Sequence, residues 1–146
     1  MTFCLQIWLI NVIATHWLQL SGEEQEHQRE EGMESKGCAH RIRNCGSELL
    51  ALEGHLTNVN ENKWKLMENS LRLKSTFLYC DLNRLISNEK DERKELLTDV
   101  TNRLSRYLEK LDRAVKTRSV PLSRIHYNDV AIVLREIEAA LMPFLS

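Results

Sequence analysis

Apolar side chains recur every three or four residues in four consecutive stretches separated by short polar breaks, and this constrains the chain more than any other feature. A helix brings residues three and four apart onto one face, so each stretch predicts an amphipathic helix with one buried stripe. The first stripe is Cys38, Ile42, Cys45, Leu49 and Leu52. Gly46 lies inside it and weakens that helix by about 1 kcal/mol relative to alanine. Gly54 and the polar run from Thr57 to Glu61 end it. The second stretch, about Glu61 to Ile86, aligns Trp64, Met67, Leu71, Leu78, Leu82 and Leu85, with Phe77 and Ile86 widening the face. Ser87 and Asn88, both N-cap types, are expected to open the third. Its first turns hold Glu89, Asp91, Glu92 and Glu95 and its end holds Arg113, Lys116 and Arg118, an order that complements the helix dipole. Glu89 with Arg93, Asp99 with Arg103 and Glu109 with Arg113 add pairs four apart in the favourable order. The stripe between them is Leu97, Val100, Leu104, Leu108, Leu111 and Val115. Ser119 and Pro121 start the fourth stretch, which carries Ile125, Val130, Val133, Leu134, Ile137 and Leu141 and is expected to stop at Pro143.

Four helices joined by connections too short to cross a bundle must pack as antiparallel neighbours. The expected fold is therefore all-α, an antiparallel up-down-up-down four-helix bundle over residues 36–142 with a tail at 143–146. With 5 Gly and 2 Pro in 146 residues, a turn-rich β fold is not supported, and the length suits one domain with one core. Leu82, Leu104 and Val133 sit at the middle of three stripes and are expected to be buried together.

Ahead of the bundle lies a poorly structured extension, residues 1–35. Residues 1–21 contain no Asp, Glu, Lys or Arg and resemble a signal peptide or a membrane segment, but polar residues such as Gln6, Asn11 and Gln19 interrupt them and a basic start is missing. Gly22 to Ser35 holds six Glu and reads as a solvated linker.

The 20 basic and 21 acidic residues leave a net charge of -1, so no global field draws the protein to nucleic acid or an anionic membrane. Cys4, Cys38, Cys45 and Cys80 lack metal or redox spacing. Cys38 and Cys45, seven residues apart on one helix, stand about 10 Å apart and cannot bridge each other. Nucleotide, hydrolase and zinc-protease motifs are missing. Of the five histidines, His27 alone has a Glu at the ExxH spacing of di-iron bundles, Glu24, and that pair falls in the acidic stretch. Glu23 to Glu34 has no EF-hand spacing and reads as solvated rather than calcium-binding. No catalytic residue, cofactor or metal is expected. What remains is surface. Lys63, Lys65, Arg72 and Lys74 around Trp64 make a candidate docking surface for an acidic partner, the competing reading being that Trp64 anchors the core and the charges simply face solvent. Tyr79 and Tyr107 are further candidate contacts.

The run STFLYCDLNRLIS, Ser75 to Ser87, resembles the phrase YLxxDLxxIIS of the PsbQ-like lumenal proteins of the thylakoid. Leu97, Val100, Arg103 and Leu104 fit that family's LxxLxxKL. LDRAVKTRS, Leu111 to Ser119, fits LDxAxxxKS with Arg118 in place of the lysine, and Tyr127 fits its tyrosine-bearing last helix. The match extends over about Lys36 to Met142. GCAHRIRNC, Gly37 to Cys45, and LRLKSTFLYCDLN, Leu71 to Asn83, look most like the members that serve the chloroplast NAD(P)H dehydrogenase (NDH).

The resemblance implies an extrinsic protein of the thylakoid lumen, held at the membrane through its partners, with no chemistry of its own. It would stabilise assembly of the NDH complex and its contact with photosystem I in cyclic electron flow. The alternative it implies is an oxygen-evolving enhancer that binds photosystem II and helps retain calcium and chloride, though the proline-rich arm of that protein has no counterpart here. A lumenal protein would need a bipartite transit peptide with a twin arginine and an A-x-A site, and residues 1–35 show neither. A secreted helical ligand of the cytokine kind would need two long crossovers, which the short connections do not provide.

Overall fold

In a computed structural model, which describes residues 27–145, the chain forms four long helices and a short 3-10 turn, with no strand among the described residues. Helix α1 spans His27–Ala51, α2 Glu61–Ser87, α3 Asp91–Lys116 and α4 Val120–Leu145. The apolar stretch 1–21, with Cys4, and residues 22–26 lie outside the described residues.

The helix boundaries correct the sequence reading at three points. First, α1 begins at His27, so residues 27–35 belong to a helix and not to a solvated linker. Ser35 falls three residues before Cys38 on the same stripe and is buried, and Glu34 faces Arg84 of α2 at 3.5 Å. Glutamates that look like a linker are good helix formers once one face has something to pack against. Second, Ser87 and Asn88 close α2 rather than opening α3. The Ser87 hydroxyl donates to the Asn83 carbonyl at 2.6 Å, and the Asn88 amide meets the carbonyls of Arg84 and Leu85. Short polar side chains serve either end of a helix, so type alone does not choose between them. Third, Pro143 lies inside α4 and does not stop it. Phe144 and Leu145 pack against the core, and Arg93 stands over the Phe144 ring at 5.4 Å, which holds the last turn in place.

Two further helix starts are capped by polar side chains. The Asn60 side chain accepts from the Lys63 amide at 2.9 Å at the head of α2, and the Ser119 hydroxyl accepts from the Leu122 amide at 3.3 Å at the head of α4. Between α1 and α2 the 3-10 turn Leu52–Leu56 folds both of its leucines inward.

The helices form a ring in which α1 packs on α2, α2 on α3, α3 on α4 and α4 on α1, so α2 and α4 stand diagonally opposite. Arg41 meets Asp81 while Glu48 meets Lys74, so numbers rise on α1 as they fall on α2, and the pair is antiparallel. Leu82 and Leu104 are fully buried and Val133 nearly so, all within one core. Trp64 is buried, at the start of α2. Phe77 and Ile125, expected in the core, are instead 54% and 53% exposed. In α4 the buried row runs Ser123, Tyr127, Val130, Leu134, Ile137 and Leu141, an unbroken alternation of four and three that leaves Ile125 on the outside. No helix among the described residues is long and apolar enough to cross a membrane.

Candidate docking surface

The basic residues of α2 do not form one patch. Lys63 and Lys74 are eleven residues apart and Lys65 and Arg72 seven apart, so a helix places each pair on its own side of the buried stripe. Lys63 donates to the Thr57 carbonyl at 3.1 Å and Lys74 pairs with Glu48 at 2.7 Å, so both serve the fold. Lys65 and Arg72 are exposed and make no salt bridge among the described residues. Tyr79 is 1% exposed and cannot touch a partner. Its position, one after Leu78 and three before Leu82, puts it on the flank of the stripe that the neighbouring helix covers. Tyr107 is half-buried against the core, with the Lys110 ammonium 5.6 Å from its ring.

What periodicity read as a single face per helix is two faces on α2 and α4. Leu66, Leu73 and Phe77 form an exposed apolar row on α2, and Leu122, Ile125 and Ile132 form another on α4. The signal was present in the sequence, because 66, 73 and 77 repeat the helical spacing of the buried stripe about half a turn away.

Two ion-pair knots tie separate elements of the bundle together. Arg118 bonds Glu61 at 2.7 Å and also Glu68, and its guanidinium stands 5.9 Å from the Trp64 ring. Hydrogen bonding from Arg118 lowers the Glu61 pKa, and the same contacts raise that of Arg118. Its backbone has φ 59, the left-handed conformation of a helix C-terminal cap, with the Ser119 amide on the Ala114 carbonyl and the Arg118 amide on that of Val115. The second knot joins α1 to α2. Arg41 sends Nε to Asp81 at 3.1 Å and Nη2 at 3.0 Å, while the same Nη2 lies 3.3 Å from the Cys38 sulfur. Between these helices runs a groove of about 400 Å³, open to solvent, with Cys45, Phe77 and Cys80 in its walls. Cys38, Cys45 and Cys80 are free thiols. Burial pushes Cys38 and Cys45 up to about 11, and raises Cys80 as well. A raised pKa keeps a thiol protonated and a poor nucleophile near neutral pH.

Among the described residues no group of three His, Cys, Asp or Glu converges as a metal site would require. Some of the ion pairs lie within α3, Arg103 with Asp99 and Lys116 with Asp112, while Arg41 with Asp81, Arg103 with Glu136, and Arg118 with Glu61 and Glu68 tie separate elements together.

The profile of the PsbQ family, described as oxygen evolving enhancer protein 3, matches residues 26–142. The photosynthetic NDH subunit of lumenal location 3, chloroplastic, of Arabidopsis thaliana is 36% identical over 103 residues, which are 70% of this chain and 46% of that protein. The oxygen-evolving enhancer protein 3-2, chloroplastic, of the same plant is 28% identical over 103 residues, covering 70% of this chain and 44% of its own length. The oxygen-evolving enhancer protein 3, chloroplastic, of Spinacia oleracea is 27% identical over 103 residues, 70% of this chain and 43% of that protein. The chain thus spans less than half the length of these relatives. Matched over all four helices by the family profile, and sharing over a third of its aligned residues with one relative, the chain belongs to the PsbQ family.

Proposed function

We propose that this protein is a non-catalytic extrinsic subunit on the lumenal side of the chloroplast thylakoid, where it stabilises assembly of the NDH complex and its contact with photosystem I in cyclic electron flow. The observation that carries the choice of complex is the 36% identity to the NDH lumenal subunit, against 28% and 27% to two oxygen-evolving enhancers over alignments of the same length. The geometry agrees with a docking role. Its charge clusters lie between helices, and two apolar rows are left outward on diagonal helices, the arrangement of a module that works by contact.

A second reading, an oxygen-evolving enhancer of photosystem II that helps retain calcium and chloride, is favoured by the description of the family profile itself. Affinity purification from solubilised thylakoids, combined with loss of the protein in the plant, separates the two. On the first reading, dehydrogenase and photosystem I subunits co-purify, and the assembled dehydrogenase falls on its removal while oxygen evolution at low calcium or chloride is unchanged. Recovery of photosystem II subunits with impaired oxygen evolution transfers the assignment to the second. A protein found outside the chloroplast defeats both.

A further inference from the structure

The outward face of α2 carries an apolar row that the bundle does not use. Leu66, Leu73 and Phe77 are each about half exposed, at 47%, 56% and 54%, and exposed Cys80 continues the line. Steps of seven, four and three residues keep these side chains on one stripe, about 20 Å long from Leu66 to Cys80. Single exposed leucines are ordinary, but large apolar side chains in register along one helix make a contact surface.

Charge along this helix is unevenly spent. Its acids are already engaged, Glu61 and Glu68 with Arg118 and Asp81 with Arg41. On the flank of the apolar row, Lys65 and Arg72 are exposed and have no salt bridge among the described residues. Lys65 and Arg72 therefore border this row with positive charge: Glu61 and Glu68 lie one turn from them, but both acids are bonded to Arg118. The open groove beside Phe77, between α1 and α2, gives the row a recess on its other side.

We propose that this face docks an amphipathic helix of a partner protein, whose apolar stripe lies along Leu66, Leu73 and Phe77 and whose acidic flank meets Lys65 and Arg72. A straight row of about three turns matches the anchor spacing of a helix laid in a groove. Carboxylates are the groups that compensate two cations losing water at the rim of such a contact. A second copy seated on the same face would bring two basic flanks together with no unengaged acid of α2 between them, which disfavours a symmetric dimer. The inference rests on the docking reading above but not on which complex is docked.

The test uses the full chain and two fluorescent helical peptides with the same leucine stripe, one flanked by glutamates and one by lysines, read by anisotropy. The glutamate peptide binds saturably. Leu73→Glu weakens it by about tenfold or more, whereas Ile132→Glu on the diagonal helix leaves it unchanged. Both are surface positions, and circular dichroism confirms that each variant is folded. Lys65→Glu with Arg72→Glu weakens the glutamate peptide and admits the lysine peptide, and added salt weakens the wild-type complex. Binding of neither peptide, equal binding of both, or indifference to Leu73→Glu overturns the proposal. A concentration-dependent dimer in sedimentation that Leu73→Glu dissolves assigns the face to a second copy and overturns it as well. Co-purification from thylakoids does not involve these peptides, so failure here leaves the assignment to a complex intact.

Discussion

Arg41 holds Asp81 with two nitrogens of one guanidinium, at 3.1 Å and 3.0 Å, and so joins the stretch GCAHRIRNC of α1 to the stretch LYCDLN of α2. These are two of the phrases by which the chain resembles its family. Their shared content is a clamp between helices: Asp81 is 14% exposed and, with Arg41, lines the open groove between α1 and α2. The motif therefore reports how the bundle is held at its least tightly patterned pair of helices.

Asp81→Ala should destabilise the bundle by about 1 kcal/mol, because a forked, charge-assisted pair is lost while the half-exposed Arg41 recovers water. A double-mutant cycle with Arg41→Ala, read by urea unfolding, should return a coupling of the same order. Additive effects of the two substitutions would show that the clamp is ornamental.

Of the three glycines in α1, Gly32, Gly37 and Gly46, it is Gly46 that packs on α4. It is buried against α4, where a β-carbon would stand 3.4 Å from a Leu134 methyl. That is ordinary contact, and the backbone there is not in the left-handed region. Gly46→Ala should therefore stabilise by about 0.5–1 kcal/mol through helix propensity. Gly46→Leu should instead destabilise, by forcing α1 away from Leu134. If alanine also destabilises in chemical denaturation, the contact between α1 and α4 is tighter than this geometry allows.

Much of the bundle was legible because a buried stripe must repeat every three to four residues, and in α3 each of the expected stripe residues Leu97, Val100, Leu104, Leu108, Leu111 and Val115 is buried. Periodicity fails where two faces of one helix are apolar. Phe77 and Ile125 obey helical spacing with their neighbours and still point outward, since spacing fixes that residues share a face and not which face is covered. Composition misled at residues 27–35, because a run of glutamates has the same composition in a helix as in a linker. The docking candidates failed for a related reason. Lys63, Lys65, Arg72 and Lys74 are close in sequence, but the helix deals them to opposite sides, and Tyr79 lies inside.

Arg118 occupies a left-handed cap position where glycine is the usual residue, and it replaces the lysine of the family phrase. Its side chain offsets the unfavourable backbone by reaching Glu61, Glu68 and the Trp64 face together. Thermal unfolding should rank wild type above Arg118→Gly, and Arg118→Gly above Arg118→Ala, because glycine loses the side chain but relaxes the backbone while alanine loses one and keeps the strain of the other. Alanine outlasting glycine would mean that the backbone conformation carries no penalty. The depressed Glu61 pKa adds a pH dependence. This part of the stability is present above the ordinary glutamate pKa and is lost as pH falls through the lower folded value.

At the alkaline end the thiols set the opposite slope. Cys38 and Cys45 are raised from 9.0 to about 11, chiefly by burial, with Asp81 adding to the shift at Cys38. Well below pH 9 both thiols are protonated whether the chain is folded or not, and they impose no pH dependence. Between pH 9 and about 11 the unfolded chain releases these protons while the folded chain retains them, so the unfolded state binds fewer protons and stability falls as pH rises. Urea midpoints measured across this interval should drop more steeply for the wild type than for a Cys38→Ala, Cys45→Ala variant, since the buried tyrosine Tyr127, whose pKa is also raised, contributes equally to both. Alkylation should give the same order by an independent route, with exposed Cys80 modified first and Cys38 and Cys45 only as pH approaches 11. Parallel pH profiles for the two proteins, or rapid modification of Cys38 near neutral pH, would show that the space between α1 and α2 admits water to the thiols, and the packing described for Cys38 would have to be abandoned.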